Sequence, residues 1–457
     1  MEFNASAGAA SRSESPAEAA LYRKVTLRIV PLIIVCFIAA YLDRVNISFA
    51  KLQMQAEIGL SEAAYGLGAS VFFIGYLLFE IPSNAILVRV GARRWIARIM
   101  ISWGIASAAM MFVRDETWFY VLRFLLGAME AGFVPGVLYF YTQWFPAERR
   151  GRMNNMFFGA IALCGIIGGP ISGGILKYMD GVQGMPGWQW LFLIEGIPSV
   201  VLGVMVMVLL NDRVEDAKWL TSDEKRMLTD ALARDPKVDS SHAFMEALKR
   251  PVTYLFSLIY FGLCMGIYGL LFWMPQLIKS AGTADPLLIG LISMLPYIAA
   301  IIGTVLIGRS SDRTGERRWH LTLCAVACAA GYALCAANEN STVLLVLGLS
   351  IAATGIIASF GIFWMFPARV LTGMAAAAGL AMINSLGQFG GILAPYMVGK
   401  VKDVTGNASM GLYAIALACA VTALLIAFAL PRNIRFRDGA RSDTAAVPKA
   451  APAAQQP

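Results

Sequence analysis

Six ionisable side chains lie in stretches of sequence that are otherwise strongly apolar: Asp43, Arg44, Glu80, Arg123, Glu130 and Glu195. A charge surrounded by apolar groups is costly, so each one needs a reason to be there. A carboxyl in such a place holds a proton more tightly than in water, and a nearby arginine loosens that hold, so the pair can load and unload a proton. A guanidinium stays charged at ordinary pH and grips a carboxylate with two parallel hydrogen bonds. Proton transfer and anion recognition are therefore the chemistry these residues suit. The alternative for Asp43 and Glu130 is a static ion pair that fixes helix register, with the arginines as partners for the acids; for Glu80 and Glu195 it is packing at a helix contact against backbone or asparagine partners. All six fall in the first half of the chain. The second half offers polar and aromatic residues instead, among them Tyr260, Tyr268, Trp273, Gln276, Tyr297, Trp364, Asn384, Ser385 and Gln388. This asymmetry suggests coupling and charge recognition in one half, with shape and hydrogen bonding in the other.

The elements that carry these residues are runs of about twenty or more apolar residues, enough to cross roughly 30 Å of hydrocarbon as helices. At 457 residues, with 58% hydrophobic and 14% charged, the chain lies outside the range of soluble domains. Twelve spans are expected, at about 25–50, 62–88, 95–113, 117–141, 153–177, 188–210, 251–279, 286–308, 319–337, 341–366, 372–399 and 408–430. The fold class is thus all-α integral membrane. Between spans six and seven lies the one long hydrophilic stretch, 211–250, whose mixed charges suggest a solvated, partly helical linker between six-helix bundles at 21–210 and 251–435. The ends, 1–20 and 436–457, read as disordered tails from their composition.

The net charge of +8 does not indicate nucleic acid, because the basic residues sit in short loops between spans. Arg89, Arg93, Arg94 and Arg98 lie around the second loop, Arg149, Arg150 and Arg152 follow span four, and Arg309, Arg313, Arg317 and Arg318 follow span eight. The intervening loops carry singletons such as Lys51, Arg114, Lys177 and Lys279. The positive-inside rule then places both termini and the linker in the cytoplasm. Seven cysteines all fall inside spans without a CxxC, so neither a disulfide framework nor a metal site is indicated. The two histidines, His242 and His320, have no His or Cys partner at ligand spacing, and no GxxxxGK[ST] loop occurs. An intramembrane metalloenzyme and an ATP-driven pump are therefore unsupported. No cofactor is expected, and the chain does not read as an enzyme.

The two halves repeat each other. Gly91-Ala-Arg-Arg-Trp95 recurs as Gly315-Glu-Arg-Arg-Trp319, displaced by 224 residues; Phe145-Pro-Ala147 recurs as Phe366-Pro-Ala368, displaced by 221; and Pro170 is matched by Pro395, displaced by 225. Three anchors with nearly equal displacement imply a six-plus-six parallel repeat, which puts a binding site at the interface near the midplane and supports rocking-type alternating access.

This repeat, with Asp312-Arg-Thr-Gly315, resembles the loop signature of the major facilitator superfamily. Arg123-Phe-Leu-Leu-Gly127 and the set Gly165, Gly169, Pro170, Gly173, Gly174 resemble its span-four and span-five motifs. Tyr41-Leu-Asp-Arg-Val-Asn46, Glu80-Ile-Pro-Ser-Asn84, Glu130-Ala-Gly, Trp190-Leu-Phe-Leu-Ile-Glu195-Gly and Asn384-Ser-Leu-Gly resemble the anion:cation symporter family, in the branch that carries tartrate, galactonate and phthalate. The resemblance covers about residues 22–435. It implies a proton-coupled symporter importing a small organic carboxylate across a bacterial inner membrane, working as a monomer, with the anion, protons and the bilayer as its partners. An aromatic-acid symporter or an organic-anion exchanger is the alternative. It implies Asp43 and Glu130 as proton carriers, and Tyr41, Arg44, Tyr76, Arg123, Trp364 and Asn384 as substrate-site residues. Gly91, Arg93, Asp312, Arg313, Gly315 and Arg317 would form the gating loops. The first of these loops departs from the family pattern, with Val88 where an acid is usual.

Depth refines the expectation. Asp43 and Arg44 sit roughly 10 Å from the far end of span one, and Arg123 roughly 9 Å from the start of span four, with Glu130 about two turns deeper. If spans one and four line one cavity, Asp43 is placed to pair with Arg123 while Glu130 waits near the midplane.

Overall fold

The computed structural model describes residues 15–235, 250–371 and 374–430. The tail after residue 435 and linker residues 236–249 lie outside the described residues. Every described secondary-structure element is a helix. The first group comprises α1 (Pro16–Ile58), α2 (Glu62–Val90), α3 (Ala92–Ala109), α4 (Glu116–Glu130), α5 (Phe133–Thr142), α6 (Ala147–Tyr178) and α7 (Gly187–Leu209). A linker helix, α8 (Ser222–Ala233), follows. The second group comprises α9 (Pro251–Ser280), α10 (Pro286–Thr314), α11 (Arg318–Ala337), α12 (Thr342–Phe363), α13 (Met365–Val370), α14 (Met374–Gly387), α15 (Phe389–Thr405) and α16 (Ser409–Leu424). The ends of most expected spans agree with these helices to within a few residues. Several ends differ more: α1 starts at Pro16, so residues 16–20 are helical rather than part of a disordered tail, and runs on to Ile58; α6 starts at Ala147, α10 continues to Thr314 and α15 to Thr405.

Three expected single spans are divided. Among the described residues, eleven helical segments are long and apolar enough to cross a membrane by themselves; the eleventh span in chain order is instead built from α14 and α15, which meet at Gln388. Span four breaks between α4 and α5, where Gly132 has φ 92°. A Cβ there would sit 2.3 Å from Ser83 Oγ, so glycine is required on steric as well as backbone grounds. The break frees the carbonyl of Ala131, which accepts a hydrogen bond from Ser83 Oγ at 2.6 Å, and Ser83 in turn accepts one from Trp95 Nε1 at 2.9 Å. Non-helical backbone inside a membrane persists only when the protein itself satisfies it in this way. Span ten breaks at Trp364 between α12 and α13, a position that the repeat matches to the end of α5 rather than to the α4–α5 break.

Within each group, close packing rests on glycine. A Cβ at Gly127 of α4 would lie 1.9 Å from the carbonyl oxygen of Phe72, so α2 and α4 touch backbone to backbone. Between the groups, α6 packs on α10, α2 on α15 and α1 on α9, pairings that exchange under the six-plus-six repeat. At the α6–α10 crossing a Cβ on Gly290 would fall 2.2 Å from the carbonyl oxygen of Gly169.

The two ends of the bundle differ. At the end away from the linker, charged side chains tie the groups together. Lys51 of α1 and Lys402 of α15 both pair with Glu62 at the start of α2, and Asp403 accepts from the backbone N–H groups of Glu62 and Ala63 at 3.1 and 2.8 Å. Lys177 pairs with Asp285, and Lys279 donates to the carbonyl of Leu52 at 2.8 Å. Lys51, expected as a loop residue, is instead completely buried, because α1 continues past it to Ile58. Its ammonium lies 3.7 Å from the ring centre of Trp273 and 4.2 Å from that of Tyr65. At the linker end the ion pairs seen among the described residues lie within one group or join the first group to the linker, including Lys24 to Glu224, Arg93 to Asp212, Arg150 to Asp235, and Arg317 to Asp312. An open cleft of 440 Å³ lies there, lined by Arg317, Trp364, Met365, Ala368 and Arg369.

If the far end is held shut by backbone contact, a methyl group at its tightest point must loosen it. Gly290→Ala should destabilise the purified protein by about 1–3 kcal/mol, read as a lower denaturation temperature. Gly308→Ala on the same helix, with nothing within 4 Å of its Cβ, should not. Equal denaturation temperatures would show that the Gly169–Gly290 contact bears no strain.

Candidate functional site

Four of the six ionisable residues meet where α1, α2, α4 and α7 converge, but not in the expected pairs. Arg44 Nη2 donates to Glu130 Oε1, joining α1 to the last residue of α4. Asp43 does not pair with Arg123. Its carboxylate accepts hydrogen bonds from Trp103 Nε1 at 2.9 Å and Ser107 Oγ at 2.7 Å, both on α3, and from Ser199 Oγ of α7 at 2.7 Å. Asn46 Nδ2 approaches it at 3.4 Å. The reason is rotation. Adjacent residues on a helix point about 100° apart, so when Arg44 faces α4, its neighbour Asp43 faces α3 and α7. Equal depth placed Asp43 and Arg123 at one level but said nothing of azimuth.

Arg123 is wholly buried. Its Nε donates to the carbonyl of Gly68 at 3.2 Å, while Nη1 and Nη2 have no hydrogen-bond partner. Phe72 of α2 lies between the two arginines, its ring centre 4.9 Å from the Arg123 guanidinium carbon and 5.4 Å from that of Arg44. Tyr76, one turn on, lies 5.7 Å from Arg44. The aromatic faces offset part of the cost of two like charges in one place, but a single carboxylate, Glu130, faces two guanidiniums. The region is short of negative charge, and the unpaired nitrogens of Arg123 show where it is short.

The remaining substrate-site residues surround this cluster unevenly. Tyr41 is buried on α1, one turn before Arg44, and faces Tyr297 of α10. From the second group, Tyr268 donates to Gln388 Oε1 at 2.6 Å and packs edge-on against Phe73 at 4.5 Å. Asn384 is half-buried on α14, four residues before Gln388 at the α14–α15 junction. Trp364 is the outlier. It sits at the α12–α13 break, 4.9 Å from Tyr260, and lines the cleft at the linker end. The gating-loop residues also lie at the linker end. Gly91 has φ 98° and Gly315 φ 69°, each ending a helix. Asp212, just after α7, accepts from the Arg93 backbone N–H at 2.7 Å and pairs with its side chain. An acid distant in sequence thus holds the loop in which Val88 replaces the usual one. Arg317 pairs with Asp312 at 3.3 Å, and Arg313 is exposed.

Phe72, Trp103, Ser107 and Ser199 were not among the expected site residues. Aromatic and hydroxyl side chains are common in membrane helices, and nothing in their spacing distinguishes these four.

A model of the Major Facilitator Superfamily matches residues 33–395. The chain belongs to this superfamily. It is 45% identical over 417 residues to a Pseudomonas putida protein named "Putative metabolite transport protein NicT", covering 91% of this chain and 95% of that one. It is 45% identical over 425 residues to a "Putative tartrate transporter" of Agrobacterium vitis, covering 92% and 94%. Among solved structures, a D-xylose-proton symporter superposes with a TM-score of 0.69 at 14% identity, covering 89% of this chain and 98% of that one, a likeness of fold alone. The protein is therefore a multi-pass membrane transporter of the major facilitator fold and not an enzyme.

In this transporter the Arg44–Glu130 pair and the orphaned Arg123 nitrogens give mutation a clear readout. Arg44→Lys should reduce substrate affinity nearly as much as Arg44→Ala, because both lose the planar fork. Near-normal affinity in the lysine variant, measured by thermal shift or uptake, would show that charge alone matters at this position.

Proposed function

We propose that the protein is a proton-coupled symporter that imports a small organic carboxylate, a hydroxy or sugar acid such as tartrate or galactonate, across a bacterial inner membrane. In this reading the linker end faces the cytoplasm, as the arginine-rich loops require, and the monomer is the working unit. The observation that carries it is the charge balance at Phe72: one buried and one half-buried guanidinium, one carboxylate, and two Arg123 nitrogens without a partner among the described residues. An anion supplies what is missing.

The mechanism follows from competition. Glu130 occupies the Arg44 fork that a substrate carboxylate would use. Protonating Glu130 removes its charge and frees the guanidinium, so proton and anion binding favour each other. Losing the proton returns Glu130 to Arg44 and displaces the anion. Asp43 acts on packing: as a carboxylate it gathers donors from α3 and α7 onto α1, and protonation weakens that grip. Rocking of one group of helices against the other then alternates access. The aromatic wall of Phe72, Tyr76 and Tyr268 favours an aromatic acid as the second reading. A thermal-shift screen against a panel of hydroxy, sugar and aromatic acids separates the two.

Asp43→Asn and Glu130→Gln should each abolish accumulation driven by a pH gradient in proteoliposomes, and Glu130→Gln should leave substrate exchange, which need not cycle the proton. Normal gradient-driven uptake by both variants would remove the coupling assignment. Anion-for-anion exchange indifferent to an imposed proton gradient would make the protein an exchanger.

Two carboxyls carrying two protons also set the electrical character of transport. A monocarboxylate should enter with net positive charge and respond to voltage, at about 2.3 kcal/mol per charge per 100 mV, whereas a dicarboxylate should respond to pH alone. Uptake under a potassium/valinomycin potential tests this. A proton-coupled monocarboxylate that ignores voltage would mean that a single acid cycles.

A further inference from the structure

Glu195 of α7 takes no part in the cluster around Arg44, yet it is 5% exposed and has no cation beside it among the described residues. Its Oε1 accepts a hydrogen bond from Ser172 Oγ of α6 at 2.7 Å, and its Oε2 accepts none. Asn46 of α1 is completely buried. Its Nδ2 points at Asp43 Oδ1, its side chain also faces Glu195, and its Oδ1 accepts no hydrogen bond. The register explains the arrangement. On α7, Glu195 lies one turn from Ser199, which bonds Asp43; on α1, Asn46 lies one turn from Asp43. The antiparallel helices therefore set Asp43 opposite Ser199 and Asn46 opposite Glu195.

The hydrogen-bond ledger of the two acids is unequal. Asp43 receives three donors at 2.9 Å or less, which suits a carboxylate. Glu195 has one donor and one orphaned oxygen, next to an amide that also has an orphaned oxygen. Two buried acceptors left unsatisfied are costly, and one proton on Glu195, donated to Asn46 Oδ1, satisfies both. Two ionised carboxylates bridged by a neutral amide would instead repel each other without relief. The charged group facing Glu195 is Asp43. Ser172 faces it from α6, and the charged residues of α3, Arg93, Arg94 and Arg98, lie at the opposite end of that helix from Gly104 and Ala108, which pack on Gly196.

We propose that Asp43 and Glu195 share one proton through the amide of Asn46, and that in the state closed at the far end this proton resides on Glu195. A half-turn of the amide exchanges the two roles: its N–H₂ group then serves an ionised Glu195 while its oxygen accepts from a protonated Asp43. Asn46 is thus the element that reports which acid is loaded, and Glu195 is a further proton-holding residue of the transporter. Its part in transport rests on the proton-coupled reading; its protonation does not, and the test uses no transport.

Infrared spectra of the full-length purified protein, recorded without substrate across a pH series, provide the test. A protonated-carboxyl C=O band is expected at neutral pH and should be lost in Glu195→Gln. In Asp43→Asn, where the negative neighbour is gone, the same band should disappear at a pH lower by about one unit. Ser172→Ala keeps the acid but removes the donor to Oε1, and should shift the band's frequency without removing it. A band of undiminished intensity in Glu195→Gln would show that Glu195 is ionised, and one whose frequency ignores Ser172→Ala would show that it does not arise from the carboxyl that Ser172 bonds. A band lost in Glu195→Gln whose pH dependence is unmoved in Asp43→Asn would show that the two acids do not share a proton.

Discussion

An ionised group buried in a membrane helix costs several kcal/mol unless neighbours replace the water it has lost, and much of the first group of helices is arranged around that cost. Arg44 is met by Glu130 and by the faces of Phe72 and Tyr76. Asp43 is met by two serines and a tryptophan. Each solution draws in a different pair of helices: the arginine ties α1 to α2 and α4, and the aspartate ties α1 to α3 and α7. Because the two residues are adjacent, α1 is clamped from two directions at one level. A change of charge at either residue releases a different set of contacts, so charge state and helix packing are one variable at this point.

The same logic accounts for the helix breaks. Glu130 ends α4 because Ala131 and Gly132 leave the helical path, and the freed carbonyl of Ala131 is caught by Ser83, itself held by Trp95. The serine of the Glu80-Ile-Pro-Ser-Asn84 motif therefore supports the carboxylate it never touches. At the far end, buried charge works between the two groups of helices. Glu62 gathers Lys51 and Lys402, Lys51 is roofed by Tyr65 and Trp273, and the backbone contact of Gly169 with Gly290 brings α6 and α10 together. The pairs that join the two groups, Lys402 with Glu62 and Lys177 with Asp285, lie at helix ends while glycine dominates the crossing, as expected where apolar lipid gives no hydrophobic drive for helices to associate.

Span positions and the internal repeat were legible in the chain itself, because hydrocarbon imposes a length and an apolar composition that few other environments demand. The buried charges were legible for the same reason, since each interrupts a run in which charge is otherwise absent. Their partners were not. Asp43 was expected opposite Arg123 because residue counting along a helix measures depth, and depth leaves azimuth free until neighbouring helices have docked. Lys51 passed for a loop residue because nothing local shows that α1 extends to Ile58 and that Trp273, more than two hundred positions later, covers it. The acid missing at Val88 was not predictable as Asp212, which reaches Arg93 only once α7 has returned to the linker end. Sequence alone therefore determined which charges interrupt an apolar run and so need partners, while a buried charge nearer a helix end, Lys51, escaped it. Which of them face one another was decided by the tertiary structure, because helix rotation and crossing are set by packing between segments far apart in the chain.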